Sequence, residues 1–141
     1  GVFRHEVINQ SSLLTKGIDK FLYIPHSRWT GFNDKDIEES EKLHILIRSN
    51  KAGIHLIHAY SGRQIFMQGH WEYDIDTLKK EYERDIKKNA EANIPDNYFK
   101  DDNPKAKIIA NWRGNGTLFF LNWINFVYQK TPFDLEKLKE I

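Results

Sequence analysis

Three strand-like apolar runs follow one another between residues 44 and 68, and no other feature of the chain restricts its fold as much. Residues 44–48 (HILIR) are the first. Residues 53–60 are the second, with Ile54, Leu56 and His58 alternating against His55, Ile57 and Ala59. Residues 63–68 are the third, entered through a Ser61-Gly62 turn. Two more runs precede them: residues 2–8, and FLYIP at 21–25, which proline stops. Residues 13–18 are short and apolar and end near a turn. Helical signals are interleaved. Asp34 or Asp36 can N-cap a short helix through Leu43. Leu78, Tyr82 and Ile86 recur every four residues in a helix predicted over 76–92, closed by Ile94-Pro95. A polar loop is expected over 95–107, then a helix over 117–129. That helix is apolar nearly all round (Leu118, Phe119, Phe120, Leu121, Trp123, Ile124, Phe126, Val127), which predicts burial on more than one side. Thr131-Pro132 breaks it, and a last helical turn is expected within 133–141. Strands and helices are mixed, so the class is α/β or α+β, and 141 residues fit one domain with a sizeable core.

Charge and composition narrow the partners. With 21 basic and 20 acidic residues the net charge is +1, so no field of one sign favours nucleic acid or an anionic membrane. No apolar segment approaches the roughly 20 residues that span a bilayer. The opening GVFRHEV has no basic region followed by an apolar one, so it is not a signal peptide. The absence of cysteine excludes disulfides and thiolate zinc sites and suits a cytoplasmic location. His5, His44, His55 and His58 show no H-x-x-x-H or H-E-x-x-H spacing, and no metal site is expected. Gly-rich phosphate loops and G-x-S-x-G elbows do not occur.

The stretch QGHWEYD, residues 68–74, carries the first candidate chemistry. At a strand's end, residues i and i+2 project together, so His70 and Glu72 would face one way and Trp71 the other. A carboxylate beside an imidazole fixes its tautomer and stabilises the imidazolium, which is the base-and-orienter half of a nucleophilic triad. The spacing alone is equally that of a solvated polar pair. His26-Ser27-Arg28 puts three polar groups on the loop after FLYIP, either a functional loop or a turn after proline. Glu81 and Arg84, three apart, can pair on one helix face, and an arginine there can aim its fork back at a carboxylate ligand.

Taken in order, the segments GVFRHEV, LLTKGIDKFLYIPHSRWT, GRQIFMQGHWEYDIDTLKKEYERD, IPDNYFKDDNP, NWRGNGTLFFLNWINFVYQ and TPFDL resemble the homoserine O-acyltransferases of methionine biosynthesis. These are the homoserine O-succinyltransferases and their O-acetyltransferase members. The resemblance runs from Gly1 to Leu135 and matches the family's C-terminal half. It implies the C-terminal portion of a flavodoxin-like, class I glutamine-amidotransferase-type α/β domain, filling residues 1–141. It implies acyl transfer from succinyl-CoA or acetyl-CoA to the hydroxyl of L-homoserine through a cysteine thioester, with acyl-CoA as co-substrate and no other cofactor. The family's catalytic histidine and glutamate map onto His70 and Glu72. Its substrate-binding serine maps onto Ser27 and its arginine onto Arg84, and Glu81 matches a further acidic position. A homodimer is expected by the same resemblance.

The family's cysteine, oxyanion-hole amides and substrate-binding lysine would precede Gly1, so the expectation is a fragment, inactive alone, that needs a missing half or a companion chain. The sequence departs from the family pattern at Trp71, usually proline, and at Gly114-Asn115, usually Ser-His. Gly31-Phe32 replaces a polar pair, and one aromatic is missing between Asn125 and Tyr128. Two other readings stand beside the acyltransferase. One is a hydrolase using Ser27, His70 and Glu72. The other is a non-catalytic binding or assembly module, for which the aromatic helix over 117–129 would suit an interface, since half a doubly wound sheet exposes an edge and an apolar face and should be oligomeric or aggregation-prone.

Overall fold

The computed structural model describes residues 1–88 and 92–132. Five strands form one sheet: β1 (Val2–Val7), β2 (Phe21–Pro25), β3 (Leu43–Ser49), β4 (Gly53–Ala59) and β5 (Gln64–Met67), in the order β2-β1-β3-β4-β5. Every pairing is antiparallel. The connections dictate this. Only residues 50–52 join β3 to β4 and only 60–63 join β4 to β5, whereas a parallel neighbour needs a crossover of about a dozen residues or more. Tyr60, Ser61 and Gly62 turn the second hairpin through the left-handed region, with φ of 49°, 56° and 88°. The mixed α and β class holds. The parallel crossovers of a flavodoxin-like sheet are not what these strands display.

The sheet curls. Register shifts at Ile45, Ile47 and Arg48 interrupt the β3–β4 ladder, and such irregularities bend a strand and raise its twist. Edge strand β2 and the residues after edge strand β5 consequently meet, since the His70 amide donates to the Pro25 carbonyl at 2.7 Å. Covered on both faces, β4 buries Ile54, His55, Leu56 and Ile57 in succession, so its alternation does not separate core from solvent.

Three helices flank the sheet: α1 (Asp34–Glu38), α2 (Thr77–Lys88) and α3 (Arg113–Lys130). The first is shorter than expected, because Leu43 already belongs to β3. Asn33 holds its N-cap position without a side-chain bond, and Asp34 instead takes the Ile54 amide at 3.4 Å and pairs with Arg48. Residues 89–91 of the predicted 76–92 helix and the turn expected within 133–141 lie outside the described residues.

Two expectations are corrected. The loop over 95–107 is polar in composition, yet it buries Tyr98 and Phe99 completely. Phe99 bridges Ile108, and the Tyr98 hydroxyl donates to the Ile75 carbonyl at 2.6 Å while accepting the Lys79 amide at 3.2 Å. The segment therefore anchors the start of α2. Helix α3 is not buried on several sides. Only Gly116 and Phe119 are buried, while Leu121 and Ile124 stay 58% and 61% exposed. One layer of sheet and loop covers one stripe of a cylinder, and among the described residues nothing covers the rest.

The covered stripe fixes the loop after β5. A Cβ at Gly116 would lie 2.9 Å from Trp71 Cβ and 3.1 Å from the Trp71 carbonyl oxygen. The Trp71 ring itself is buried and packs on Phe119 at 4.8 Å. Glycine to alanine inside a helix normally stabilises by up to about 1 kcal/mol. Here Gly116→Ala is predicted to destabilise by roughly 1–3 kcal/mol through overpacking. Urea unfolding of the two proteins measures the difference, and a more stable variant would refute the contact.

Candidate active site

The residues after β5 are held by the backbone rather than by strand pairing. Gln68 donates to the His55 carbonyl at 3.0 Å, His70 to Pro25, and Tyr73 to the His70 carbonyl at 3.3 Å, which makes a turn. Trp112 closes it, its indole N–H reaching the Tyr73 carbonyl at 3.1 Å. His70 and Glu72 thus stand in a turn and not at a strand's end, yet they meet as expected. His70 Nδ1 lies 2.7 Å from Glu72 Oε1, and Trp71 turns into the core. With Nδ1–H given to the carboxylate, Nε2 is the basic nitrogen.

Tyr73 joins this pair to the rest of the site, and sequence reasoning missed it. Its ring stacks on His70 with centroids 4.3 Å apart and planes 14° apart. Its hydroxyl donates to Glu81 Oε1 at 2.8 Å and also interacts with Ser27. Burial, then the Glu81 hydrogen bond and charge, push the phenol up to about 12, so it stays a donor. The available signal was its place three residues after His70, where a turn returns the ring over the imidazole.

A cavity of about 1010 Å³ opens between the end of β2 and α2, lined by Phe3, His26, Ser27, Arg28, Glu81 and Tyr82 among others. Ser27 and Glu81 are therefore brought together, and Glu81 Oε2 is buried with no partner among the described residues. His70 does not line this cavity. It connects through Tyr73 to the Glu81 wall. Arg84 is not drawn in either. Its Nε bonds the neighbouring Asp85, which itself lines the cavity, at 2.8 Å, and Glu81 pairs with Tyr73 rather than with Arg84. The arginine on the cavity wall is Arg28, already engaged with His26, with the Thr30 carbonyl and with the Ala52 carbonyl.

The family model described as homoserine O-succinyltransferase matches residues 1–133. This chain belongs to that family. Among curated relatives, it is 48% identical over 136 residues to a homoserine O-acetyltransferase of Bacillus cereus, covering 96% of this chain and 45% of the relative. It is 46% identical over 140 residues to a homoserine O-acetyltransferase of Acetivibrio thermocellus, covering 99% of this chain and 46% of that protein. The chain spans about half the length of the curated relatives it matches. Among the described residues, no helix is long and apolar enough to cross a membrane.

Beneath the turn, this homoserine O-succinyltransferase family member gathers three histidines that their sequence spacing did not connect. His5 of β1, His26 just after β2 and His55 of β4 are all buried, and their ligand-capable nitrogens lie within 4.8 Å of one another. Only the curled sheet brings them together. Burial, the main cause in each, pulls His5 down to about 4 and His26 to about 3, and holds His55 well below the usual range. Arg28 and the neighbouring imidazoles add to the shift. All three rings are neutral in the fold. The unfolded chain, with histidines near 6.5, binds more protons below that pH. Stability is therefore full above about 6.5 and lost as pH falls towards about 4. The loss is predicted to reach roughly 1.4 kcal/mol per pH unit for each histidine involved. Urea midpoints at pH 7, 6 and 5 test it, and a constant midpoint would contradict buried neutral rings.

Proposed function

We propose that these residues form the base-bearing part of a homoserine O-acyltransferase that passes an acyl group through a cysteine thioester. The observation that carries the reading is the 2.7 Å contact of His70 Nδ1 with Glu72, in a member of this family. The 141 residues contain no cysteine, so the thiol belongs to polypeptide outside them, in a missing half or a companion chain.

In the first step the cysteine sulfur attacks the acyl-CoA carbonyl. Its proton passes to His70 Nε2, and coenzyme A departs as the thiol after taking that proton. In the second, the homoserine hydroxyl oxygen attacks the thioester while His70 takes its proton, and the cysteine leaves as thiolate. Glu72 holds the ring and stabilises the imidazolium in both steps. Ser27 and Glu81 bind the amino acid, the free Glu81 Oε2 accepting from its ammonium group. Arg84 takes the carboxylate once it turns from Asp85. The donor is succinyl-CoA or acetyl-CoA, and no further cofactor takes part. The reaction is the first committed step to methionine, carried out in the cytoplasm by a homodimer.

The test uses protein that includes the cysteine-bearing segment. O-acylhomoserine should form from one of the two donors, with an acyl adduct in the intact mass. His70→Ala should lower kcat about 10³-fold and Glu72→Gln roughly 10²-fold, within the range for a lost general base and its orienter. An active His70→Ala protein would sink the assignment.

A further inference from the structure

The histidine cluster lies directly under the backbone that carries His70, and its hydrogen bonds fix the tautomer of every ring. His5 Nδ1 is 2.8 Å from the Phe3 carbonyl oxygen, so Nδ1 carries the proton and Nε2 accepts. His26 Nδ1 receives the Arg28 Nε–H at 3.2 Å, which places the His26 proton on Nε2. That proton is donated to His5 Nε2 at 3.1 Å. A directed chain results, from Arg28 through His26 and His5 to the Phe3 carbonyl. His55 Nδ1 receives the Gly69 amide at 3.0 Å, so its proton sits on Nε2, buried without a partner among the described residues.

Three converging imidazoles are also the donor count of a metal site, but this arrangement uses them otherwise. Only His5 turns a lone pair towards its neighbours. A cation held by all three would have to displace both the Arg28 donor from His26 and the Gly69 donor from His55. The rings are acceptors for protein groups, not a ligand set.

What they support is Gly69. A Cβ there would lie 2.6 Å from Ile24 Cγ2, 2.8 Å from His26 Nε2 and 2.9 Å from His55 Nδ1. The backbone one residue before His70 therefore rests on two of the imidazoles and requires glycine. The next amide, of His70 itself, bonds Pro25, the residue before His26. The charged or titratable groups facing the cluster are Arg28, the Gly1 amino group, which donates to the His26 carbonyl at 2.8 Å, and His70. Each disfavours a further positive charge, which keeps the acceptors available.

We propose that the neutral His5–His26–His55 cluster is a positioning seat for His70, in which His55 is the residue that holds the Gly69 amide and sets where the imidazole stands. Its catalytic meaning rests on His70 being the base. The seat itself is a statement about an amide and three ring tautomers, read without turnover.

The test is NMR on the full 141-residue chain labelled with ¹⁵N, comparing the parent with His55→Leu and His55→Asn. Asparagine places an acceptor oxygen near the position of Nδ1, and leucine removes it. His55→Leu should speed Gly69 amide exchange about tenfold or more and move the His70 ring ¹⁵N resonances. His55→Asn should restore both. In the parent, ring ¹⁵N shifts should show His5 with its proton on Nδ1, and His26 and His55 with theirs on Nε2. Unchanged Gly69 exchange and unchanged His70 ring resonances in His55→Leu would overturn the seat. So would failed rescue by asparagine, an Nδ1-protonated His55, or stoichiometric zinc uptake by the three rings of the parent. If the leucine variant does not fold, the parent tautomers and the asparagine variant still decide. A failed O-acylhomoserine assay would leave these signals untouched, so the two readings fail separately.

Discussion

A single backbone hydrogen bond, from the His70 amide to the Pro25 carbonyl, joins the two ends of the sheet on which the site is built. β2 and β5 are opposite edges, separated by three strands. Their ends can touch only because the sheet curls, and the register shifts in β3 supply that curvature. The bond brings the Ser27 loop beside the His70 turn. Behind them His5 of β1, His26 just after β2 and His55 of β4 converge. Proline suits its end of the bond, since it stops the strand while keeping a carbonyl to offer.

The site has two layers of different character. The outer layer is polar and partly open: His70 on Glu72, Tyr73 over His70, and Glu81 taking the Tyr73 hydroxyl. The inner layer is buried and neutral. A charge on any of its rings would turn an acceptor into a donor facing another donor. Between them lies only the Gly69–His70 backbone. The outer groups stand partly in solvent, while burial keeps the inner rings neutral.

Local elements were legible in the sequence wherever the signal was local. FLYIP became β2 with the same ends, the three central runs became β3 to β5, and His70 met Glu72. Long-range convergence was not legible. Nothing in the spacing of residues 5, 26 and 55 announces a cluster, because strand order and curl create it. Tyr98 and Phe99 were hidden by the polar residues around them, although they are among the most buried side chains. Helix α3 erred the other way, since hydrophobic content says what an element can bury and not what lies beside it. Arg84 was mapped to a substrate-binding position by the resemblance, and in the structure its side chain bonds Asp85.

The register shifts in β3 have a mechanical consequence. The sheet behaves like a sprung clip whose jaws are Pro25 and His70, with its hinge at the central strand, two strands from either edge. Relaxing the hinge, by restoring a regular β3–β4 ladder, would open the jaws and draw the serine loop away from His70. Neither residue need change for that to happen. Geometry around the His70 turn is thus governed partly from a strand that contributes no side chain to it.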